Sequence, residues 1–195
     1  MDGFERRKAM KKKIILKATL SLFINNGVKK VSIAEIAKKA NVSQVTIYNY
    51  FKSKDNLAHE VLIYYVDQIW KEYEELFNRN IAFPDKIKGI IFDKKKAADN
   101  IHEDFYTYFM KEYSTGINYM EELYTEKIFP RLIELFNEGR AQGYINHDIS
   151  NEAIIFYIQI LKDAMQKKDI YQKILPMTEE ITTLFFYGII GKGND

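Results

Sequence analysis

The string SQVTIYNY, which begins at residue 43, contains side chains of the types that read DNA. Gln44 and Asn49 each end in a carboxamide, whose donor and acceptor match the pair on the major-groove edge of adenine. The methyl groups of Val45 and Thr46 suit the thymine methyl, and the hydroxyls of Thr46 and Tyr48 can bond to phosphate oxygens. This combination indicates a surface that contacts double-stranded DNA, if one exposed helix carries all of it.

The two tyrosines of this string, Tyr48 and Tyr50, have a second interpretation. A tyrosine ring is a large apolar surface, and tyrosines taken without context more often pack between parts of a protein than contact a ligand. The elements that surround the string therefore decide between DNA contact and packing.

Helix signals lie on both sides of the string. A capping box, Ser-x-x-Glu, at Ser32 and Glu35 predicts the start of a helix, because each side chain can bond to the other residue's backbone N–H. After a turn of three residues, Ser43 can cap a further helix that runs from Gln44 to about Tyr50. Two short helices joined by such a turn are typical of a helix-turn-helix.

A longer helix precedes this pair and completes a three-helix lobe. Its apolar side chains recur at helical spacing, and they are Ile14, Ile15, Ala18, Leu22 and Phe23. Asn26-Gly27 can end this helix with a left-handed cap. On the third helix, Ile47 and Phe51 lie four residues apart and are expected to face the first two helices.

Charge is divided unevenly along the chain. Residues 1–54 contain 13 Lys and Arg against three acids, a net charge of +10, and residues 55–195 contain 16 against 24, a net charge of −8. A basic lobe joined to an acidic one indicates that the N-terminal part meets a polyanion. The alternative for a charge run alone is a solvated lysine face.

Length and composition exclude several classes of protein. The chain has 195 residues, 47% of them hydrophobic, and no cysteine. Disulfides and cysteine-ligated metals are therefore excluded, which fits a reducing compartment. The chain has neither a signal-peptide core nor a run of about 18 apolar residues, so we expect a cytoplasmic protein with no membrane partner.

Enzyme signatures are missing from the sequence. There is no glycine-rich phosphate loop, no G-x-S-x-G string and no H-E-x-x-H string, and the three histidines are scattered. We therefore expect no catalytic residue, no metal ligand and no cofactor.

Residues 31–57 resemble the helix-turn-helix of the tetracycline-repressor (TetR) family in both residue types and order. The match is tight over roughly residues 10–58. It includes the spacing of Phe23 and Gly27, the Ile-Ala-x-x-Ala string that starts at Ile36, the Val-Ser turn at residues 42–43 and the Thr-Ile-Tyr string at residues 46–48.

The resemblance implies roles for the matching positions. Thr46, Tyr48 and Lys54 would hold phosphates or the edge of the groove. Gln44, Val45 and Asn49 would face bases. The complete set of residues expected at DNA is Ser32, Ser43, Gln44, Val45, Thr46, Tyr48, Asn49, Tyr50 and Lys54.

The predicted fold is all-α and has two lobes. Residues 1–54 form the three-helix DNA-binding lobe, and residues 55–195 form a helical lobe for effector binding and dimerisation. After a long fourth helix, further helices are predicted at Pro84 to about Asp99, Glu103–Tyr113, Tyr119 to about Ala141, Asn151–Gln166 and Thr178–Ile190. Pro130 lies inside one of them and is expected to kink it.

The acidic lobe is rich in aromatic residues, and the family resemblance implies an effector pocket among them. The predicted pocket residues are Trp70, Tyr73, Phe105, Phe109, Tyr113 and Tyr124. Such a lining would suit a small hydrophobic or aromatic effector. The alternative for each of these residues is ordinary core packing.

The last two predicted helices are apolar over more than one face, so they need partners on two sides. Pairing them with a second copy of the chain would give a four-helix interface. The residues predicted there are Ile154, Tyr157, Ile158, Leu161, Thr183, Phe186 and Tyr187. The alternative is burial of the same residues inside a monomer.

Together these features predict a homodimeric repressor. It would bind a pseudo-palindromic DNA operator through two recognition helices about 34 Å apart. A small effector would release it. The alternatives are an activator or a ligand-independent regulator of the same fold, and a helical module that binds a partner protein.

Overall fold

The computed structural model describes residues 3–90, 101–114, 118–165, 170 and 173–189. The described chain is all-α, as predicted. Its helices are α1 (Gly3–Asn26), α2 (Ile33–Ala40), α3 (Gln44–Phe51), α4 (Lys54–Phe77), α5 (residues 83–90), α6 (Glu103–Ser114), α7 (Asn118–Leu123), α8 (Phe129–Ala141), α9 (Asn151–Met165) and α10 (Thr178–Ile189).

The described helices match the predicted ones to within one or two residues at most ends. For the helix predicted from Pro84, residues 91–99 lie outside the described part of the chain. Across the described ranges, no helix is both long enough and apolar enough to cross a membrane.

Residues up to Ile69 pack with residues 101–109 as a first compact unit. Its core contains Ile15 and Phe23 of α1, Ile36 of α2 and Ile47 of α3, all almost fully buried. These three helices therefore meet through apolar faces whose spacing is visible in the sequence.

The second compact unit contains the described residues from Trp70 to residue 90 and from Met110 onward. Its core includes Leu76, Phe83, Phe136 and Ile154. Gly139 packs against the Phe83 ring so closely that an added Cβ would lie 2.8 Å from a ring carbon. This close approach requires glycine.

A buried ion pair also lies in the second unit. The Lys86 ammonium, 5% exposed, donates to both carboxylate oxygens of Glu138 at 2.9 and 2.7 Å and to the Phe77 carbonyl at 2.8 Å. Gln142 donates to the same carboxylate at 3.0 Å. These hydrogen bonds compensate for the desolvation of the lysine.

The helix that contains Pro130 has a wider, π-helical turn just before the proline. The segment Tyr124–Ile128 between α7 and α8 is a π-helix, and the Phe129 N–H bonds to the Tyr124 carbonyl, five residues back. Proline has no N–H to donate and clashes with the carbonyl four residues before it. A π-turn directly before the proline accommodates both restrictions.

The two compact units are not divided at residue 54. The first two-thirds of α4 and residues 101–109 pack with the three N-terminal helices, because their apolar side chains complete the same core. The assignment of residues 1–54 and 55–195 as functional domains stays a prediction.

Candidate DNA-binding interface

Helix α2 begins at a complete capping box. The Ser32 hydroxyl accepts the Glu35 N–H at 3.2 Å, and the Glu35 carboxylate accepts the Ser32 N–H at 2.7 Å. The same carboxylate accepts the Ser32 hydroxyl at 2.7 Å. Hydrogen bonds from the Ser32 hydroxyl and backbone N–H, and the nearby charge of Lys54, lower the pKa of Glu35.

The turn after α2 relies on Asn41, which has a left-handed backbone with φ of 52° and ψ of 50°. Asparagine tolerates this region better than most residues. The turn brings the Val42 N–H to the Ala37 carbonyl at 3.0 Å and closes the helix end. The chain is thereby redirected into α3 within three residues.

Helix α3 is oriented by its cap and its core residues. The Ser43 hydroxyl accepts the Thr46 N–H at 3.0 Å and lies 2.8 Å from the Thr46 hydroxyl. Ile47 and Phe51 are buried in the core of the first unit. With one side of the helix fixed in the core, the side chains on the opposite side must point outward.

Four of the side chains predicted to contact DNA lie on that outer side. Gln44 and Asn49 are exposed, Val45 is 67% exposed, and Tyr48 is 47% exposed. An apolar residue and an aromatic residue exposed to this degree make no large contribution to folding. This exposure favours ligand contact over packing for Tyr48.

Tyr50 and Thr46 are placed differently. Tyr50 is half-buried, packs against the core of the first unit, and has its ring centroid 6.1 Å from that of Phe51. The packing interpretation therefore accounts for most of the Tyr50 side chain. Thr46 is half-buried, and its hydroxyl remains close to Ser43.

The remaining three predicted DNA contacts take part in local hydrogen bonds. Ser32 and Ser43 cap their helices, so their hydroxyls already accept backbone N–H groups. Lys54, half-buried at the start of α4, donates to the Lys29 carbonyl at 3.2 Å. The Lys54 ammonium has three N–H donors, so this bond leaves it able to contact a phosphate as well.

A groove beside α3 was not predicted from the sequence. It has a volume of about 710 Å³, and its walls are the N-terminal turns of α1 and two residues of α3. The lining residues are Phe4, Glu5, Arg7, Lys8, Ala9, Lys11, Lys12, Asn49 and Tyr50. The net charge of +10 over residues 1–54 is the sequence feature from which this groove could have been predicted.

The six residues predicted to line an effector pocket are divided between the two units. Phe105 is 1% exposed and belongs to the core of the first unit, with its ring centroid 6.4 Å from that of Phe23. Phe109 packs in the same unit, with its ring centroid 6.3 Å from that of Tyr65. The packing of Phe105 therefore fits the alternative given for it, that it is an ordinary core residue.

The other four predicted pocket residues belong to the second unit. Trp70 and Tyr73 each pack near Phe77, with ring centroids 6.3 and 6.1 Å from it. Burial, followed by the nearby Asp163 carboxylate, raises the pKa of Tyr124. The side chain of Tyr113 lies outside the described part of the structure.

The residues predicted at a dimer interface divide into an inner and an outer set. Ile154 and Phe186 are buried in the core of the second unit, and Ile158 and Leu161 pack against that core. Thr183 is half-buried. For Ile154 and Phe186 the alternative of burial inside a monomer describes their packing, and their place at a dimer interface stays a prediction.

The outer face of α9 and α10 remains strongly apolar. Tyr157 and Tyr187, both predicted, are 44% and 69% exposed. Phe156, Ile160 and Leu184, which the prediction missed, are 68%, 49% and 71% exposed. Helical spacing places Ile160 on the same face as Phe156, four residues earlier, and Tyr187 on the same face as Leu184, three residues earlier. It does not show that these faces lie outward.

Comparison with known proteins identifies relatives of the N-terminal part. Residues 15–61 match the family model for bacterial regulatory proteins of the tetR family. The chain is 23% identical over 94 residues to the HTH-type transcriptional repressor KstR2 of Mycolicibacterium smegmatis, a match to 48% of this chain and 46% of that protein. This match therefore spans less than half of that relative.

Two further similarities cover most of the chain. It is 27% identical over 176 residues to the uncharacterised HTH-type transcriptional regulator YvdT of Bacillus subtilis, covering 82% of this chain and 88% of that protein. The crystal structure of the transcriptional regulator FadR from Bacillus subtilis, in complex with stearoyl-CoA, superposes with a TM-score of 0.59. That comparison has 18% identity and covers 91% of this chain and 98% of FadR.

Proposed function

Because this chain belongs, through residues 15–61, to the TetR family of bacterial regulatory proteins, we propose that it is a cytoplasmic, homodimeric repressor. It binds a pseudo-palindromic operator in double-stranded DNA through α2 and α3. A small hydrophobic effector that carries a hydrogen-bond acceptor releases it.

The outer row of α3 is the observation that carries the DNA-binding proposal. Gln44, Val45, Tyr48 and Asn49 are all exposed on a helix whose opposite side is fixed in the core. The two carboxamides can each make a bidentate contact to adenine, and Val45 can contact a thymine methyl. We therefore assign the reading of bases to Gln44, Val45 and Asn49. Tyr48 and Lys54 are assigned to contacts with the phosphate backbone of DNA.

The exposed face of α9 and α10 supports a homodimer. Phe156, Leu184 and Tyr187 are each more than two-thirds exposed, and a cluster of apolar residues at such exposure is typical of an interaction surface. A second copy of the chain is the partner because two half-sites need two recognition helices. The interface contains Phe156, Tyr157, Ile160, Leu184 and Tyr187.

Trp70 supports the effector proposal and points to a hydrogen-bond acceptor on the effector. Only 6% of Trp70 is exposed. Its indole N–H has no hydrogen-bond partner among the residues that the structure describes. A buried donor without a partner costs about 1–3 kcal/mol. An effector oxygen that accepts this N–H would remove that cost.

The ligands of structural neighbours are consistent with this chemistry. FadR was solved with stearoyl-CoA, and another neighbour is a gamma-butyrolactone receptor. Both ligands combine an apolar part with carbonyl oxygens. We propose the same combination here, an aliphatic or aromatic body with a carbonyl or carboxyl oxygen directed at Trp70.

Binding to duplex DNA over a salt series tests the proposed function. Fluorescence anisotropy would compare a duplex from the region upstream of the protein's own gene with a scrambled duplex of equal length. We expect tight, salt-sensitive binding to the first duplex and at least tenfold weaker binding of Tyr48→Ala. Equal binding of wild type and Tyr48→Ala to both duplexes would contradict the proposal.

The rival function, a module that binds a partner protein through apolar surface, gives a different result. DNA binding releases counterions, so the logarithm of the binding constant falls linearly with the logarithm of salt concentration. Association through apolar surface has no such dependence. The net charge is +10 over residues 1–54 and −8 over residues 55–195. This division favours DNA binding over the binding of a partner protein.

A further inference from the structure

The first three turns of α1 precede the residues that match the family model. The family match begins at residue 15, whereas α1 begins at Gly3. Residues 3–14 contain six basic residues and one acidic residue, and none of them is buried. This segment therefore adds a charged, exposed helix to the matched domain.

Folding stability does not explain these charges. Arg7 and Lys11, and likewise Lys8 and Lys12, are like-charge pairs four residues apart, which weaken a helix by about 0.2–0.5 kcal/mol each. A polyanion would relieve this repulsion. The segment is thus destabilised on its own and suited to a partner of opposite charge.

Lys12 attaches the segment to the rest of the first unit. Its ammonium lies 3.0 Å from the Glu60 carboxylate of α4 and 5.9 Å from the centroid of the Phe51 ring. The direction of the segment is therefore set relative to α3. Arg7, Lys8 and Lys11 make no ion pair with any residue that the structure describes.

These three cations share a groove with the recognition helix. Arg7, Lys8 and Lys11 line one wall, and Asn49 and Tyr50 of α3 line the other. Asn49 is also part of the exposed row that faces bases in the proposed function. A DNA backbone that passes Asn49 would continue directly into the groove.

We propose that the first three turns of α1 are a second phosphate-binding surface, which holds the DNA backbone beside the recognition helix. The inference rests on the proposed function and extends it. Twelve helical residues span about 18 Å, enough to follow several phosphates of one strand. Arg7, Lys8 and Lys11 bind phosphates, and Lys12 positions the segment.

The opposite side of the same helix provides a matched control. At about 100° per residue, Arg6, Lys13 and Lys17 point away from the groove, and all three are exposed. The groove variant is Arg7→Gln, Lys8→Gln, Lys11→Gln, and the control variant is Arg6→Gln, Lys13→Gln, Lys17→Gln. Both variants remove three charges from one exposed helix face, so net charge alone cannot distinguish them.

The measurement is the slope of log affinity against log salt for the duplex from the upstream region and for the scrambled duplex. Each lost phosphate contact lowers the magnitude of the slope by about 0.9, and the dimer loses three contacts in each of its two protomers, so the groove variant should lose about 5.4. Between about 50 and 200 mM salt its affinity should then fall roughly 2,000-fold less than that of the wild type. We expect the control variant to lose less than one third of the slope that the groove variant loses.

A second readout follows the helix itself. Amide hydrogen exchange at residues 5–12 should slow when the wild type binds duplex DNA, because phosphates relieve the like-charge repulsion. The groove variant should show little change in protection on binding. Slower exchange in both proteins would overturn the assignment of the three side chains.

The outcomes separate this inference from the proposed function. Two outcomes overturn this inference and leave the proposed function intact, provided that binding is specific for the operator. One is an unchanged slope in the groove variant, and the other is an equal loss of slope in the control variant. Equal wild-type binding to both duplexes, with a reduced slope in the groove variant, removes the proposed function and retains the phosphate surface. Loss of binding to phosphatidylserine vesicles by the groove variant, with DNA slopes unchanged, would assign the segment to lipid and overturn the proposal.

Discussion

The Asp104 carboxylate accepts the backbone N–H of Lys29 at 2.9 Å, across 75 positions of sequence. The bond joins the first turn of α6 to the loop that follows α1. Gly27 allows the close approach: its φ is +81°, and an added Cβ would lie 2.9 Å from the Asp104 Cβ. The His102 N–H, which bonds to the Ile24 carbonyl at 2.8 Å, strengthens the same junction.

The Asp104 contact makes a specific prediction about pH. Partial burial raises the pKa of Asp104, but hydrogen bonds from the backbone N–H groups of Lys29 and Val28 outweigh it, so the pKa is lowered overall. A carboxyl whose pKa is lower in the folded state stabilises the protein above its unfolded pKa of about 3.9. That stability is lost as pH falls through the folded pKa.

We therefore expect Asp104→Asn to lower the free energy of unfolding by about 2 kcal/mol at pH 7. The difference from wild type should shrink below about pH 4. Urea unfolding between pH 7 and pH 3 checks this, with Glu103→Gln as the control for loss of one exposed charge. A difference that is constant with pH would contradict the assigned role of the carboxylate.

The buried ion pair of the second unit predicts a large loss on single substitution. Lys86→Met leaves the Glu138 carboxylate without its main partner and should cost about 3 kcal/mol. Replacing both residues, as Lys86→Met with Glu138→Leu, should restore most of that loss. Thermal unfolding of the two variants and of Lys88→Met, an exposed lysine on the same helix, measures the effect. Equal stability of Lys86→Met and Lys88→Met would show that the pair contributes nothing.

The exposed face of α9 and α10 predicts that charge there breaks the dimer. Leu184→Glu should weaken self-association at least 100-fold, because a desolvated carboxylate would face apolar side chains of the partner. Ile81→Glu, in the turn before α5 and 36% exposed, is the matched control. Sedimentation equilibrium measures both. A monomeric wild type, or a dimeric Leu184→Glu protein, would remove this face from the interface.

Trp70 makes effector binding directly observable. It is the single tryptophan of the chain, so any change in intrinsic fluorescence reports its surroundings. A carbonyl-bearing hydrophobic compound that accepts the indole N–H should shift the emission and lower operator affinity with the same midpoint. Trp70→Phe retains the apolar ring and should bind such a compound about tenfold more weakly, from the loss of one hydrogen bond. Unchanged release from DNA in Trp70→Phe would contradict the assignment.

The helix-turn-helix was predictable because its signals are local. The capping box at Ser32, the Ser43 cap and the core positions Ile47 and Phe51 each depend on neighbours within four residues. The structure contains all of them at the expected places. Local rules also placed Gln44, Tyr48 and Asn49 on the outer side of α3.

Features that depend on distant contacts were not predictable. Nothing near Asp104 or Phe105 in sequence indicates that Asp104 bonds to the loop after α1 or that Phe105 packs against Phe23 of α1. Phe105 was predicted in an effector pocket from the family resemblance and the aromatic content of the acidic lobe. Helix α9 is apolar on several faces, and periodicity could not decide whether Ile154 or Phe156 would face the core. Tertiary packing made that choice.

Selection from random duplexes tests the central claim, that the outer row of α3 reads sequence, most directly. Wild-type protein should enrich a pseudo-palindrome with half-sites about one helical turn apart or a multiple of it. Asn49→Ala should relax the preference at one base pair of each half-site, whereas Lys54→Gln should weaken binding uniformly and keep the same motif. If no motif is enriched, or if Asn49→Ala selects the wild-type motif unchanged, the account of sequence reading by α3 is wrong.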